Sequence, residues 1–134
     1  MVCLDTNFLI DIINGREIPE KIQDILKIGV SVSIASPSIT ELIKGIHLER
    51  NLKYVSEEEK KRIELALSSF TILNLDKESA IISGEIEAEL ENKGEPIGIE
   101  DIMIGAIAKH NNETLITRNK KHFEKILGLK IISY

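Results

Sequence analysis

Apolar positions along this chain change their spacing several times, and each change marks a new element. Val2-Cys3-Leu4 is a continuous apolar run of strand length. Phe8, Leu9, Ile12 and Ile13 then recur at the three- and four-residue spacing of one helix face, stopped by Asn14-Gly15. Ile18, Ile22, Ile25 and Leu26 repeat that spacing in a second helix, with Gly29 as its end. Residues 30–35 alternate apolar and small polar side chains, the period of a half-buried strand. Ser36-Pro37-Ser38 opens a helix striped by Ile39, Leu42, Ile43 and Ile46, and Ser56 with Glu59 forms a capping-box pattern before Ile63, Ala66, Leu67 and Phe70. A brief strand over 71–75 leads through Asp76 into a long helix ending near Lys93-Gly94.

The run 99–108 is apolar on nearly every side apart from Glu100 and Asp101, which predicts a buried helix, and its Gly105, Ala106 and Ala108 allow close neighbours. A strand at 114–117, a short helix over about 120–127 and a last strand at 130–133 complete the series. There is no internal repeat, linker or low-complexity tract. Regular strand–helix alternation predicts an α/β fold, a three-layer α/β/α sandwich with a mainly parallel central sheet, formed by residues 1–134 as one domain.

Composition changes this picture little. With 43% hydrophobic and 29% charged residues the chain reads as soluble and globular, and with 4% aromatics its packing must rest on Ile and Leu. Cys3 is the only cysteine, which excludes an internal disulfide and a cysteine-based zinc site; its apolar surroundings predict a buried, inert thiol. Asp5 interrupts the first apolar stretch, so no signal peptide is read there, and no segment approaches the roughly 18 apolar residues of a membrane span. A cytoplasmic location is the expectation. Seventeen basic against 22 acidic residues give a net charge of −5, poor for binding nucleic acid through phosphates alone but compatible with acids clustered around cations.

In parallel α/β folds, ligands bind beyond the carboxyl ends of the strands. Asp5, Thr6 and Asn7 follow the first predicted strand, Glu41 lies early in the helix after the second, Asp101 lies in the first turn of the apolar helix, and Arg118 and Asn119 follow the strand that ends at Thr117. The fold rule thus carries residues more than a hundred positions apart to one rim. Each acid also has a plain structural reading. Asp5 suits a helix N-cap, Glu41 completes a capping box with Ser38, and Asp101 complements a helix dipole. Asp101 nevertheless stands at the mouth of a buried helix, where an unpaired charge is costly and a metal ion would remove that cost.

Together, oxygen-only carboxylates suit Mg²⁺ or Mn²⁺, which acidify water and neutralise charge on a phosphodiester. His47, His110 and His122 share no ligand spacing and fall on or near helix surfaces, so none carries a role in this reading. The basic cluster Arg118, Lys120, Lys121 and His122 reads equally as a phosphate-attracting patch and as a solvated helix start. A glycine-rich phosphate loop and a Gly-x-Ser-x-Gly elbow are both missing. A phosphate-accepting Asp5 is disfavoured because position 7 is Asn, where the common phosphatase pattern has Asp.

These blocks carry a resemblance. Leu4-Asp5-Thr6-Asn7-Phe8-Leu9-Ile10-Asp11 resembles the opening of PIN domains, VapC-type toxins in particular. Three further blocks agree in order: Ser38-Ile39-Thr40-Glu41-Leu42, the stretch from Pro96 to Ala106, and the stretch from Leu115 to Phe123. The resemblance spans essentially the whole chain. It implies a ribonuclease using Mg²⁺ or Mn²⁺, acting on RNA, paired with a cognate antitoxin and usually homodimeric. By position it makes Asp5, Glu41 and Asp101 the acidic metal-site residues, with Thr6, Asn7, Thr117 and Arg118 supporting the metal shell or the nucleic acid. The fourth acidic position, often Asp, is Asn119 here, which keeps an oxygen donor but loses a charge and so weakens any second metal. Glu100, beside Asp101, is expected to point elsewhere. The antitoxin would use a groove between the early helices. RNA processing, or a catalytically weak PIN-like binding module, are the alternatives the resemblance leaves.

Overall fold

In the computed structural model, which describes residues 1–49 and 55–134, short apolar runs become strands and the periodic segments between them become helices. In chain order these are β1 (Val2–Leu4), α1 (Thr6–Ile13), α2 (Glu20–Lys27), β2 (Val32–Ala35), α3 (Ser36–Glu49), α4 (Glu57–Leu67), β3 (Thr71–Leu73), α5 (Lys77–Asn92), α6 (Ile99–His110), β4 (Thr114–Thr117), α7 (Lys120–Phe123) and β5 (Ile131–Ser133). The strands make one five-stranded sheet in the order β3-β2-β1-β4-β5, parallel at every pairing. Helices cover both faces, giving the expected α/β/α sandwich.

Successive side chains on a strand point to opposite faces, and this alternation divides the core in two. Cys3, Ala35 and Leu115 face one way, where they join Ile86 and Leu90 of α5, Ile102 to Ala108 of α6, and Phe123. Val2, Leu4, Ile34 and Ile116 face the other way, among Phe8 and Leu9 of α1, Ile22 of α2, Leu42 of α3 and Ile63 of α4. Each fully buried side chain of this size stabilises the fold by about 1.5–3 kcal/mol. The central strands are therefore apolar on both sides, as parallel strands must be. Cys3 is wholly buried, and burial pushes its thiol up to about 12, so it is inert as expected. At the other, amino-terminal end of β4, the buried Glu113 carboxylate accepts a hydrogen bond from Ser33 Oγ.

Two glycines act through geometry. Gly94 takes a left-handed φ of +69° and lets Glu95 N–H reach back to the Leu90 carbonyl, ending α5 where the sequence indicates. Gly105 lies in α6 under Ile126, Leu129 and Phe123; a Cβ there would run into Ile126 Cδ1. The helix expected over 120–127 is a single turn, α7, after which three-residue turns (Ile126 N–H to Phe123, Leu129 N–H to Ile126) fold the chain onto that glycine. β3 likewise stops at Leu73 rather than 75, because the backbone turns away and Leu75 N–H bonds to Ser36 Oγ.

Candidate active site

The chain lays down β1, β2 and β3 towards one edge of the sheet, then returns to place β4 and β5 on the other side of β1. At such a reversal the connections leave in opposite directions and open a crevice beyond the carboxyl ends of the strands. β1 ends on Leu4 and β4 on Thr117, with Leu4 in register with Ile116. Asp5 and Thr117 therefore arrive side by side, and the Asp5 N–H donates to the Ile116 carbonyl (3.0 Å).

Asp5 is only 3% exposed, and both its oxygens are engaged. Oδ1 accepts from Thr6 N–H (2.7 Å), capping α1, and Oδ2 accepts from Thr117 Oγ1 (2.6 Å). The Thr117 hydroxyl in turn accepts from Asn119 N–H (2.9 Å). The capping role and a functional role are thus compatible: each carboxylate oxygen keeps a second lone pair. Thr6 is buried and donates through Oγ1 to Glu41 Oε1 (3.3 Å), tying α1 to α3, whereas Asn7 is exposed in the first turn of α1.

The capping box expected between Ser38 and Glu41 does not form. Helix α3 begins at Ser36, two residues earlier, so Ser38 falls inside it and its buried hydroxyl has no hydrogen-bond partner. Glu41 is thereby free to face the crevice. Asp101 lies in the first turn of α6 with its side chain 19% exposed, and its Oδ2 is 2.9 Å from His122 Nδ1. Glu100 turns to α3, its Oε1 3.6 Å from Lys44 Nζ.

The electrostatics show how crowded these acids are. Burial, partly offset by the Thr117 and Thr6 hydrogen bonds and reinforced by the Asp101 charge, raises Asp5 above the usual carboxylate range. Glu41 is pushed up to about 7, first by burial and then by the Asp101 and Asp5 charges. Buried carboxylates that also repel one another are costly to ionise, and a hard divalent cation with oxygen ligands offsets that cost. The donor set of Asp5, Glu41 and Asp101 fits that role.

The other predicted residues lie around this crevice in different ways. Thr117 is buried and central; Asn119 is half-buried and sends Nδ2 to within 2.7 Å of His122 Nδ1. Arg118 is exposed and turns towards α1, where it pairs with Asp11 Oδ2 (2.5 Å) and lies 5.6 Å from the centre of the Tyr134 ring. His122, passed over in the sequence because its neighbours gave it no ligand spacing, is the residue the crevice adds. The usable signal was its position three residues after Asn119, one helical turn on, immediately beyond a strand's carboxyl end.

Among the described residues, one set of three potential ligands has its atoms all within 4.8 Å of one another: Asp76, Glu78 and His110, all exposed. It lies nine residues along α6 from Asp101, roughly 13 Å by helical rise, and Asp76 is occupied there as the N-cap of α5. Asp5, Glu41 and Asp101 form a more open array.

Comparison with known proteins agrees with this architecture. The family profile described as PIN domain matches residues 2–128. A tRNA(fMet)-specific endonuclease VapC of Salmonella typhimurium is 35% identical over 133 residues, covering 96% of this chain and 93% of that protein. Ribonuclease VapC2 of Rickettsia felis is 30% identical, covering 94% and 92%. Among solved structures, VapBC2 from Rickettsia felis bound to a promoter DNA fragment superimposes with a TM-score of 0.81 at 28% identity, over 100% of this chain and 99% of that one. VapBC-1 from nontypeable Haemophilus influenzae gives 0.82 at 27% identity, over 99% and 98%.

Proposed function

The chain belongs to the PIN-domain family, and from that premise we propose that it is a VapC-type toxin, an endoribonuclease that hydrolyses RNA phosphodiesters with Mg²⁺ or Mn²⁺. The observation that carries the proposal is the buried Asp5 carboxylate, fixed by Thr6 and Thr117 at the sheet's reversal point and raised in pKa by burial, with a further contribution from Asp101. Asp5, Glu41 and Asp101 would hold the metal. When bound, it supplies Lewis acidity, acidifying water and offsetting charge on the scissile phosphate.

The chain's own residues do the positioning. Thr117 and Thr6 set the Asp5 carboxylate in one orientation, and Thr6 also steadies Glu41. Glu41, nearly half-protonated around neutral pH before a cation arrives, is placed to take up or release a proton at Oε1 or Oε2. Asn119 contributes a neutral amide where a fourth acid would stand, and Asn7 and Arg118 flank the crevice for contact with RNA.

A cognate antitoxin partner is proposed from the VapBC assemblies that this chain resembles. An apolar groove between α1, α3 and α4, with Ile10, Ile13, Leu42 and Ile46 in its walls and Glu49 at its rim, suits an amphipathic antitoxin segment. Homodimer formation and action in the cytoplasm, over residues 1–134 as a single nuclease domain, belong to the same proposal. Among the described residues no helix is long and apolar enough to cross a membrane.

The test is cleavage of a short RNA by purified protein. Wild type is expected to cut with Mn²⁺ and stop with chelator, and Asp101→Asn to be inactive while its thermal melt shows a folded protein. Full cleavage by folded Asp101→Asn in chelator overturns the reading. Asn119 motivates the second reading, a binding module without strong catalysis, which failure to bind Mg²⁺ or Mn²⁺ at millimolar concentration would favour.

A further inference from the structure

His122 Nδ1 stands between two polar side chains at the rim of the crevice. It is 2.9 Å from Asp101 Oδ2, an acceptor, and 2.7 Å from Asn119 Nδ2, a donor. An imidazole nitrogen either carries a proton or offers a lone pair. Protonated, Nδ1 satisfies Asp101 and meets the Asn119 N–H head-on; unprotonated, it satisfies Asn119 and sets its lone pair against the Asp101 carboxylate. Turning the Asn119 amide over removes the clash, with one N–H shared between two acceptors, and it brings the amide oxygen to the same point. A divalent cation would serve all three groups, because an imidazole nitrogen, a carboxylate oxygen and an amide oxygen each present a lone pair to it.

Separation agrees with this. His122 Nδ1 and Asp101 Oδ2 are 2.9 Å apart, close enough for both to reach one ion. Position agrees as well: α7 starts shortly beyond β4, and its His122 meets Asp101 in the first turn of α6. His122 is exposed and has no packing task there, with its side chain 47% accessible, while Phe123 beside it is fully buried and anchors the turn.

We propose that His122 completes the metal centre of this chain, supplying a nitrogen donor beside the Asp101 carboxylate and so biasing the centre towards Mn²⁺ over Mg²⁺. The proposal rests on the metal-dependent nuclease reading above and adds a ligand to it. Imidazole suits transition metals, whereas Mg²⁺ is best served by carboxylate, carbonyl and water. Asn119 offers an oxygen donor without the charge of an acid, and His122 adds a nitrogen donor beside it.

The experiment uses the full chain and the metals alone. Mn²⁺ is titrated by calorimetry, and the bound ion is examined by pulsed electron paramagnetic resonance for nitrogen-14 modulation, which reports a directly bound imidazole. Wild type is expected to show the modulation. His122→Gln is expected to lose it and to bind Mn²⁺ about tenfold more weakly, with Mg²⁺ affinity changed less than twofold. His122→Glu is expected to bind both ions without modulation, shifting preference back towards Mg²⁺. His110→Gln is expected to keep the wild-type signal, which separates this centre from the exposed Asp76, Glu78 and His110 group. Mn²⁺ bound in an Asp101-dependent way without nitrogen modulation overturns the role of His122 and leaves the nuclease reading standing, as does modulation that survives His122→Gln. No Mn²⁺ binding at millimolar concentration overturns both.

Discussion

The two banks of the crevice are built by opposite means. On the β1 side, Asp5 is buried, holds a backbone and a side-chain hydrogen bond, and follows directly on a strand with paired neighbours on both edges. On the far side, His122 is carried by the four-residue α7 and touches Asn119, the N-cap of that helix, and Asp101 through exposed or half-buried atoms, while Arg118 turns away to Asp11. The first bank rests on buried groups at the end of a central strand, whereas the second rests on exposed side chains at a short helix. That difference separates residues whose loss removes chemistry from residues whose loss retunes it.

Asp5→Asn tests the fixed bank most severely. The amide keeps the shape and the Thr6 cap but removes the charge. RNA cleavage is expected to fall on the order of 10³-fold, about 4 kcal/mol of transition-state stabilisation. The melting temperature should stay level or rise, because a buried carboxylate already disfavoured by burial and by Asp101 has been neutralised. Loss of activity together with stability would mean Asp5 is chiefly a cap, and the contrast between the banks would collapse.

Thr117→Val against Asn119→Ala sharpens the contrast at lower cost to activity. Valine removes the hydroxyl that Asp5 Oδ2 and Asn119 N–H both use. A buried acceptor left unpaired costs about 1–3 kcal/mol, so the melting temperature should drop by several degrees and cleavage by about tenfold. Asn119→Ala, on the outer bank, should leave the melt within about a degree, since surface changes of this kind fall within about 0.5 kcal/mol. Equal melting shifts for the two would show that the banks are not built differently.

How far the sequence revealed these banks follows from the same physics. Strand ends are legible, because alternation and apolar runs locate β1 and β4, and the carboxyl-end rule then points to Asp5 and Asn119 without any tertiary information. Glu41 was harder: Ser38 three residues before it looks like a cap, and only the earlier start of α3 at Ser36 shows that it is not. His122 was not legible as a site residue, because its partners Asp101 and Asn119 meet it only once α6 and α7 are laid side by side. The length of α7 failed for a related reason. Its apolar spacing continues past Phe123, but packing on Gly105 replaces the helix with tighter turns.

Proton linkage gives a smaller effect that involves both banks through Asp101. Glu41 has a folded pKa of about 7 against an ordinary 4.5, because burial and then the Asp101 and Asp5 charges oppose its ionisation. Between those values the folded chain binds more protons than the unfolded chain, so metal-free stability should fall as pH rises from about 4.5 to 7 and be flat in this contribution outside that window. Asp5 acts with the same sign. Mn²⁺ takes over from the protons, so it should raise the melting temperature more at pH 8 than at pH 5.5 and release protons on binding below pH 7. A metal-free melting temperature that climbs across that window would contradict the crowding of acids on which the metal reading depends.

Arg118→Ala should have the smallest effect, and it probes where the outer bank stops. The guanidinium is committed to Asp11 and lies over Tyr134, so much of its charge is already answered within the chain. An exposed ion pair contributes about 0.2–1 kcal/mol and an exposed cation–π contact about 0.5–1 kcal/mol, which limits the loss to a few degrees of melting temperature. Against RNA, the expected result is an unchanged kcat, a KM raised no more than about threefold, and a slightly shallower dependence of KM on salt, as one phosphate contact is lost. Measured at two salt concentrations, this separates a residue that steers substrate from one that shapes the reacting centre. A collapse of kcat to the level of Asp5→Asn would instead place Arg118 among the reacting groups, and the division between a fixed bank that does chemistry and an outer bank that tunes it would have to be redrawn along α7.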